Sequence, residues 1–416
     1  MTLTDYVIQK VSQAKAAAQK LATLPTDQKN AALLAMADAL ESREAELLKA
    51  NQVDLSAAIA LNAAAKDRLT LTSKRIQEMA TGLRQVAALP DPVGHVFGLA
   101  SRPNGMQVGR MRVPIGVIGI IYESRPNVTA DAASLCLKSG NAVVLRGGSE
   151  AIESNAAIVK VISEAAEKTG IPQGALTFIE NPDREISTLL LKQDKYIDLI
   201  IPRGGEGLMA FVTKESRIPV IKHDKGVCHT YVDASANLDM AAAICFNAKV
   251  QRPGTCNAME TLLVHEGVAH KFLPDLIGRY QGAGVEVRGC PRTAILAPTV
   301  TPAKESDWGT EFLDLILAVR VVKDMQQAME HIARYGSQHS EAIITQDDSR
   351  ALRFLREIDA AAVFVNVSTR LHDGYEFGLG AEIGISTSRI HARGAMGLEE
   401  LTTSKFIVLG SGQLRE

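Results

Sequence analysis

Hydrophobic and polar positions change their period twice along the chain. Over residues 1–90 they repeat at helical spacing. In TDQKNAALLAMADALESREAELLKANQVDL, Thr26 is the expected N-cap, and Leu33, Leu34, Ala37, Leu40, Leu47 and Leu48 supply the apolar positions. Residues 95–124, HVFGLASRPNGMQVGRMRVPIGVIGIIYES, have a different texture. Pro103-Asn104-Gly105 marks a hairpin turn, and the Val/Ile run after it is too apolar to face water.

From about residue 112 the period alternates. Strand-like pieces are expected at 113–121, 141–145, 175–179, 197–201 and 229–233, with helices between them. The segment 149–170 has Ser149 as expected N-cap, Ile152, Val159 and Ile162 on one stripe, and Gly170 then Pro172 as its stop. A second alternating block has strands near 260–264, 317–322, 341–345 and 362–366 and helices near 237–249, 324–335 and 347–357. Short apolar strands alternating with helices predict parallel sheets covered on both faces, hence an α/β protein of two lobes with a cleft between them. The C-terminal LTTSKFIVLGSGQLRE is one more strand, expected to pair with the 97–112 hairpin or with another subunit.

Composition narrows the function classes. The 416 residues carry 46% hydrophobic and 22% charged positions and a net charge of −2, so no positive field draws the chain to nucleic acid. No apolar run reaches the roughly 18–20 residues that cross a bilayer, and the charged N-terminus lacks a signal-peptide pattern. Five irregularly spaced cysteines argue against a disulfide framework and for a reducing, cytoplasmic location. No Cys/His cluster has zinc-like spacing, so no metal is expected.

Cys136 and Cys245 sit in apolar helical stripes and read as buried filler. Cys228 begins a strand and Cys290 lies in a turn. Cys256, in VQRPGTCNAMETLLVH, stands in a polar bend before a strand, where the pattern leaves it open between an incidental loop thiol and a nucleophile presented at a cleft. Two strand-to-helix turns, LRGGSE around Arg146, Ser149 and Glu150 and IPRGGEG around Arg203, Gly204 and Gly205, could receive phosphate on backbone N–H groups or be ordinary turns. Neither is the G-x-G-x-x-G dinucleotide fingerprint. His339 ahead of a strand reads as structural.

The segments RVPIGVIGIIYESRP, GNAVVLRGGSE, DLIIPRGG, RPGTCNAMETLLVH, EFLDLILAV and FVNVS, in this order, resemble the aldehyde dehydrogenase superfamily over about residues 110–410. The resemblance implies that fold, with a cofactor-binding domain over 1–95 and 114–228, a catalytic domain over 229–385, and a small β oligomerisation element from 96–113 and 386–416. It makes Cys256 the nucleophile, places Arg146, Ser149 and Glu150 at the adenosine half of the cofactor, and gives Glu311 the nicotinamide ribose. A guanidinium at Arg146, where family members commonly carry lysine, suits the 2′-phosphate of NADP. The details fit best the branch that reduces glutamyl phosphate with NADPH in proline biosynthesis, which implies a homo-oligomer and a glutamate kinase as candidate partner.

Two departures from the superfamily pattern sharpen this expectation. Where oxidising members carry a glutamate that activates water, VIKHDKGVCHTYVD has Lys222 and His223 and no glutamate. A reductase should lack such a base, because hydrolysis would waste its acyl-enzyme. Ser124 replaces the family's oxyanion asparagine, with Asn127 as the alternative donor. Lys222, His223 and Arg252 are candidates to hold the thiolate and the leaving phosphate, and Arg125 to bind the substrate carboxylate. The rivals are an NAD(P)-dependent dehydrogenase of another small aldehyde and a catalytically silent binding protein of the same fold.

Overall fold

The structure is a computed structural model that describes residues 1–59, 61–123, 125–222 and 225–415, without the side chains of Ala63 and Ala64. Ser124 and His223, both candidate site residues, lie outside the described residues. The chain divides into two compact units: Met1–Lys222 with Gly378–Gly384 and Met396–Glu416, and His223–Phe377 with Ile385–Ala395.

Five helices open the first unit: α1 (Leu3–Leu21), α2 (Thr26–Ser42), α3 (Glu44–Ala57), α4 (Ala63–Leu69) and α5 (Ser73–Ala88). Leu33, Ala37, Leu40 and Leu47 are buried as their spacing predicts, whereas Leu34 is exposed, because an amphipathic helix buries one stripe. Thr26 is not the N-cap of α2. Pro25 holds that position, and the Thr26 hydroxyl donates instead to Asp91 Oδ2 at 2.8 Å.

Next come the antiparallel strands β1 (Val96–Ser101) and β2 (Gln107–Pro114), joined by a turn in which Gly105 has φ 87°. The C-terminal strand Thr402–Leu409 lies antiparallel on β2, with Thr402 opposite Pro114 and Leu409 opposite Gln107. Of the two expected partners for that strand, the hairpin of the same chain is the one observed.

The expected strand 113–121 divides at Gly116, whose φ of 132° an L side chain rarely adopts. A Cβ there would come within 2.2 Å of Asp198 Oδ2, the carboxylate that accepts from the Val117 N–H and from Lys15 Nζ at 2.8 Å each. Beyond that break follow β3 (Val117–Tyr122), α6 (Pro126–Lys138), β4 (Ala142–Arg146), α7 (Ile152–Lys168), β5 (Leu176–Phe178), α8 (Arg184–Leu190), β6 (Leu199–Arg203) and α9 (Glu206–Glu215).

The four strands pair in parallel in the order β5-β4-β3-β6, and β3 is buried throughout. A continuous Val/Ile run is what a strand covered on both faces requires. The chain steps outward from β3 to β5 and then returns to place β6 on the other side of β3. That reversal makes the carboxyl ends of β3 and β6 a topological switch point, where sheets of this kind bind ligands. Ser149 does not cap α7 directly. It starts a short 3₁₀ turn, Ser149–Ala151, ahead of the helix, and Gly170 at φ 90° ends the segment as expected.

The second unit runs β7 (Cys228–Val232), α10 (Leu238–Val250), β8 (Met259–His265), α11 (Glu266–Gly282), β9 (Glu286–Gly289), α12 (Pro291–Leu296), β10 (Thr301–Pro302) and β11 (Ile316–Val322). It closes with α13 (Met325–Tyr335), β12 (Ser340–Ile344), α14 (Asp348–Glu357), β13 (Ala362–Val365), β14 (Ile385–Ser386) and β15 (Gly394–Ala395). Seven of these strands form one parallel sheet in the order β10-β9-β11-β8-β7-β12-β13. The β7–β8 register slips by one residue, from Cys228 opposite Met259 to His229 opposite Thr261, leaving Glu260 as the extra residue. Such bulges re-aim neighbouring side chains and concentrate beside functional sites. No helix among the described residues is long and apolar enough to cross a membrane.

Candidate active site

The loop between α10 and β8 carries Cys256, the half-exposed member of the five cysteines; Cys136, Cys228, Cys245 and Cys290 are buried and all five are free thiols. Burial pushes the thiols of Cys136 and Cys245 up, as expected of filler. The loop is held from three sides. Beneath it the Cys228 thiol donates to the Cys256 carbonyl oxygen at 3.1 Å. Burial holds Cys228 well above the ordinary thiol range, so it stays a neutral donor. Beside it, the Cα of Gly226 abuts the Cys256 backbone, where a Cβ would lie 1.9 Å from the Cys256 oxygen. At its end, Asn257 Nδ2 donates to the carbonyl oxygens of His372 at 3.0 Å and Arg370 at 3.3 Å.

Behind Cys228 runs a buried polar chain. Its sulfur lies 3.7 Å from His339 Nδ1, which meets Ser340 Oγ at 2.7 Å, and Ser340 Oγ meets His372 Nδ1 at 2.8 Å. Burial lowers the His372 pKa to about 4, so that ring is neutral at neutral pH. Alongside, the His229 N–H and Nδ1 pair with Glu341 Oε2 at 3.0 and 2.9 Å. His339 thus has the structural surroundings its sequence context suggested.

Two carboxylates flank the loop. Glu311 Oε1 accepts from the Gly226 N–H at 2.9 Å, so Glu311 and Cys256 grip the same glycine from opposite ends of the sequence. Glu260 is fully buried; its Oε2 accepts from Lys249 Nζ at 2.6 Å and its Oε1 from the Leu313 N–H at 3.1 Å. Burial raises its pKa to about 7 and lowers that of Lys249, since neither charge is favoured away from water. With both oxygens engaged, Glu260 is not placed to activate a water molecule.

In the first unit the two Gly-Gly turns lie at the carboxyl ends of β4 and β6. At the second turn the Gly205 N–H, at the N-terminus of α9, donates to Glu123 Oε2 at 2.9 Å, and a Cβ on Gly204 would come 2.5 Å from the same oxygen. A carboxylate already rests where a helix N-terminus favours an anion. At the first turn Arg146 is buried rather than open. Its guanidinium donates to the carbonyl oxygens of Gly147 and, at 3.0 and 3.4 Å, of Pro182 and Asp183, while its Nε is a buried donor without a partner among the described residues. Ser149 and Glu150 lie in the 3₁₀ turn beyond it. A dinucleotide fits this donor set: paired turns with no room for a Cβ at Gly147, Gly148 or Gly204, a helix N-terminus that holds a carboxylate, and a switch point between them.

The remaining candidates divide between the units. Arg125 precedes α6 and is exposed, Asn127 on its first turn donates to Asp131 Oδ2 at 3.2 Å, and Lys222 ends the first segment of the same unit. Arg252 lies on the loop that carries Cys256. Sequence reasoning passed over Gly226, His372 and Arg370, and it weighed Cys228 and His339 separately without joining them in one chain. Each acts through contacts across long stretches of sequence; the one local hint was a glycine just ahead of an apolar strand.

The model of the aldehyde dehydrogenase family matches residues 4–308. A protein of Thermodesulfovibrio yellowstonii named gamma-glutamyl phosphate reductase is 57% identical over 418 residues, covering 100% of both chains. One of Moorella thermoacetica with the same name is 58% identical over 409 residues, covering 98% of each. Among solved structures, the gamma-glutamyl phosphate reductase of Thermotoga maritima superposes with a TM-score of 0.97 at 50% identity, covering 99% of this chain and 100% of its own. An acetylating aldehyde dehydrogenase of Geobacillus thermoglucosidasius shares the fold, with a TM-score of 0.71 at 19% identity over 100% of this chain and 98% of its own.

Proposed function

The chain belongs to the aldehyde dehydrogenase family, and from that premise we propose that it reduces L-glutamyl 5-phosphate to L-glutamate 5-semialdehyde with release of phosphate, a step of proline biosynthesis. The observation that carries this reading is the Cys256 loop. A half-exposed thiol stands on a braced loop, and the nearby buried glutamate is locked to Lys249 rather than to water. The Cys256 thiolate attacks the acyl carbon, the C–O bond to phosphate breaks, and a thioester remains. The Cys256 backbone N–H holds the carbonyl oxygen as it becomes anionic. NADPH, when bound at the Gly-Gly turns of the first unit, supplies the hydride that reduces the thioester carbonyl. Collapse of the resulting thiohemiacetal frees the semialdehyde and restores the thiol. Glu311, held by the Gly226 N–H, is the carboxylate that the family resemblance assigns to a sugar hydroxyl of the cofactor.

Because the acyl phosphate is labile, the decisive assay runs backwards. Glutamate 5-semialdehyde and NADP are supplied with and without inorganic phosphate. NADPH should form only when phosphate is present, and Cys256→Ser should be silent in both arms while still binding NADPH. Equal rates without phosphate would replace this reading with hydrolytic oxidation of an aldehyde.

The first unit is then the cofactor domain and the second the catalytic domain. The three-stranded sheet of β1, β2 and the C-terminal strand exposes Phe97, Leu99, Phe406 and Val408, an apolar surface of the kind that marks an interface, here with a second copy of the chain. Sedimentation should show an assembly that Phe406→Asp weakens; a wild-type monomer would remove the assignment.

A further inference from the structure

Arg370 is distant in sequence from every other part of the nucleophile loop, yet it holds both ends of it. It sits in the short helical turn Thr369–Leu371 that follows β13. Its Nε donates to Gln251 Oε1 at 2.9 Å and its NH1 to Asn257 Oδ1, and its carbonyl oxygen accepts from Asn257 Nδ2 at 3.3 Å. Its support is rigid: Thr369 and His372 are fully buried, and His372 is anchored through Ser340. One side chain therefore spans the segment from Gln251 to Asn257, with Cys256 inside the span.

The same guanidinium has Asp373 in its surroundings but no carboxylate bound to it among the described residues. Among the described residues neither Arg370 nor Arg252 forms an ion pair. Burial disfavours the Arg370 charge first and the neighbouring Arg252 second, while the Cys256 thiolate, Asp373 and Cys228 favour it. Behind the loop the Cys228 thiol faces Glu341 and Glu260. Two guanidiniums brought together beside a thiol, with no carboxylate bridging them, are stable when an anion shares the space. A guanidinium has five N–H donors, and the two side-chain amides take only part of that set.

We infer that Arg370 is the positioning residue of the Cys256 loop and that, together with Arg252, it forms the seat for the phosphate group of the substrate and for the phosphate ion it releases. This rests on the acyl-phosphate reading above. The loop amides fix the guanidinium plane, the thiolate lies within its field, and the phosphoryl oxygens take its remaining donors. Departure of phosphate then leaves the charge pair facing the neutral thioester, ready to receive phosphate again when the reaction runs in reverse.

The experiment uses the whole enzyme with inorganic phosphate as the probe. Two readouts are taken for Arg370→Gln, Arg370→Lys and Arg252→Gln: the pH profile of Cys256 alkylation by iodoacetamide, followed by peptide mapping, and the KM values for phosphate and for semialdehyde in the reverse reaction. In Arg370→Gln the alkylation rate at neutral pH should fall about 10-fold through a higher thiol pKa, with the phosphate KM rising about 10-fold and the semialdehyde KM little changed. Arg370→Lys, which keeps the charge without the planar fork, should recover most of the alkylation profile but not the phosphate KM. Arg252→Gln, at an exposed side chain that folding does not need, should raise the phosphate KM on its own. If both Gln variants lower kcat while thiol profile and phosphate KM stay at wild-type values, Arg370 is merely structural and the phosphate seat is wrong. A wild-type enzyme indifferent to phosphate would overturn the reductase reading and the seat with it, while the alkylation profile would still decide the positioning role.

Discussion

The four-stranded sheet of the first unit and the seven-stranded sheet of the second obey the same strand-to-helix rule, yet they carry their candidate sites on different edges and equip them differently: the first at the carboxyl ends of β4 and β6, the second at the amino ends of β7, β8 and β12. The first relies on backbone: glycine turns and a helix N-terminus, with the seat at Gly205 held by Glu123. Its donors suit the binding of an anion, and they are confined to short continuous segments. The second relies on side chains. Cys228, His339, Ser340, Arg370 and His372 come from three separate stretches and converge on one loop. Backbone donors suffice to hold a phosphate, whereas a nucleophile needs its rotamer and its electrostatics set, and that takes packing from several directions.

Glycines offer the strongest way to break this comparison. Gly226 lies in no recognisable motif, but a Cβ there meets the oxygen, carbon and Cα of Cys256 at 1.9, 2.6 and 2.8 Å. All three are backbone atoms, so the loop itself must move. Gly226→Ala should lower kcat by about 100-fold, because a displacement near 1 Å at a reacting group costs that much. Gly207, inside the conspicuous IPRGGEG segment, has nothing within 4 Å of its Cβ position and lies in α9. Gly207→Ala should leave kcat unchanged and stabilise the helix by roughly 0.5 kcal/mol. Steady-state kinetics on the two variants settles the matter. A Gly226→Ala enzyme with wild-type kcat would mean that the packing under Cys256 is looser than the distances imply.

The same contrast explains what could be read from the chain. The parallel strands announced themselves because a strand buried on both faces must be a continuous apolar run, as at Ile118 to Ile121 and Val143 to Leu145. Cys256 and Glu311 could be named as candidates because the family motifs that contain them are contiguous. Caps were misplaced at Thr26 and Ser149, since a hydroxyl suited to capping can be claimed by a tertiary partner or start a 3₁₀ turn. Gly226 and Arg370 were missed for a deeper reason. Their roles consist of contacts with residues 30 and more than 110 positions away, and no local pattern encodes those distances.

The smallest effect is expected in the first unit, at a titratable group that the turns leave behind. Asp131 on α6 is half-buried, accepts from Asn127 Nδ2 at 3.2 Å, and lies within the field of Arg203 at the end of β6. Burial raises its pKa to about 6 from 3.8, against the opposing pull of Asn127 and Arg203. The folded state therefore binds this proton more tightly than the unfolded chain does, so stability is lost as pH rises from about 4 to 6 and stays lower above that. Two pKa units would correspond to about 3 kcal/mol, but residual exposure and screening reduce the expected loss to about 1 kcal/mol. Asp131→Asn should regain that amount at neutral pH and flatten the curve across the window, as measured by urea unfolding at several pH values. A variant that is less stable than wild type at neutral pH would show that the ionised carboxylate is instead an asset there, paired with Arg203. The first sheet edge would then also depend on side-chain electrostatics, and the contrast between the two edges would be one of degree.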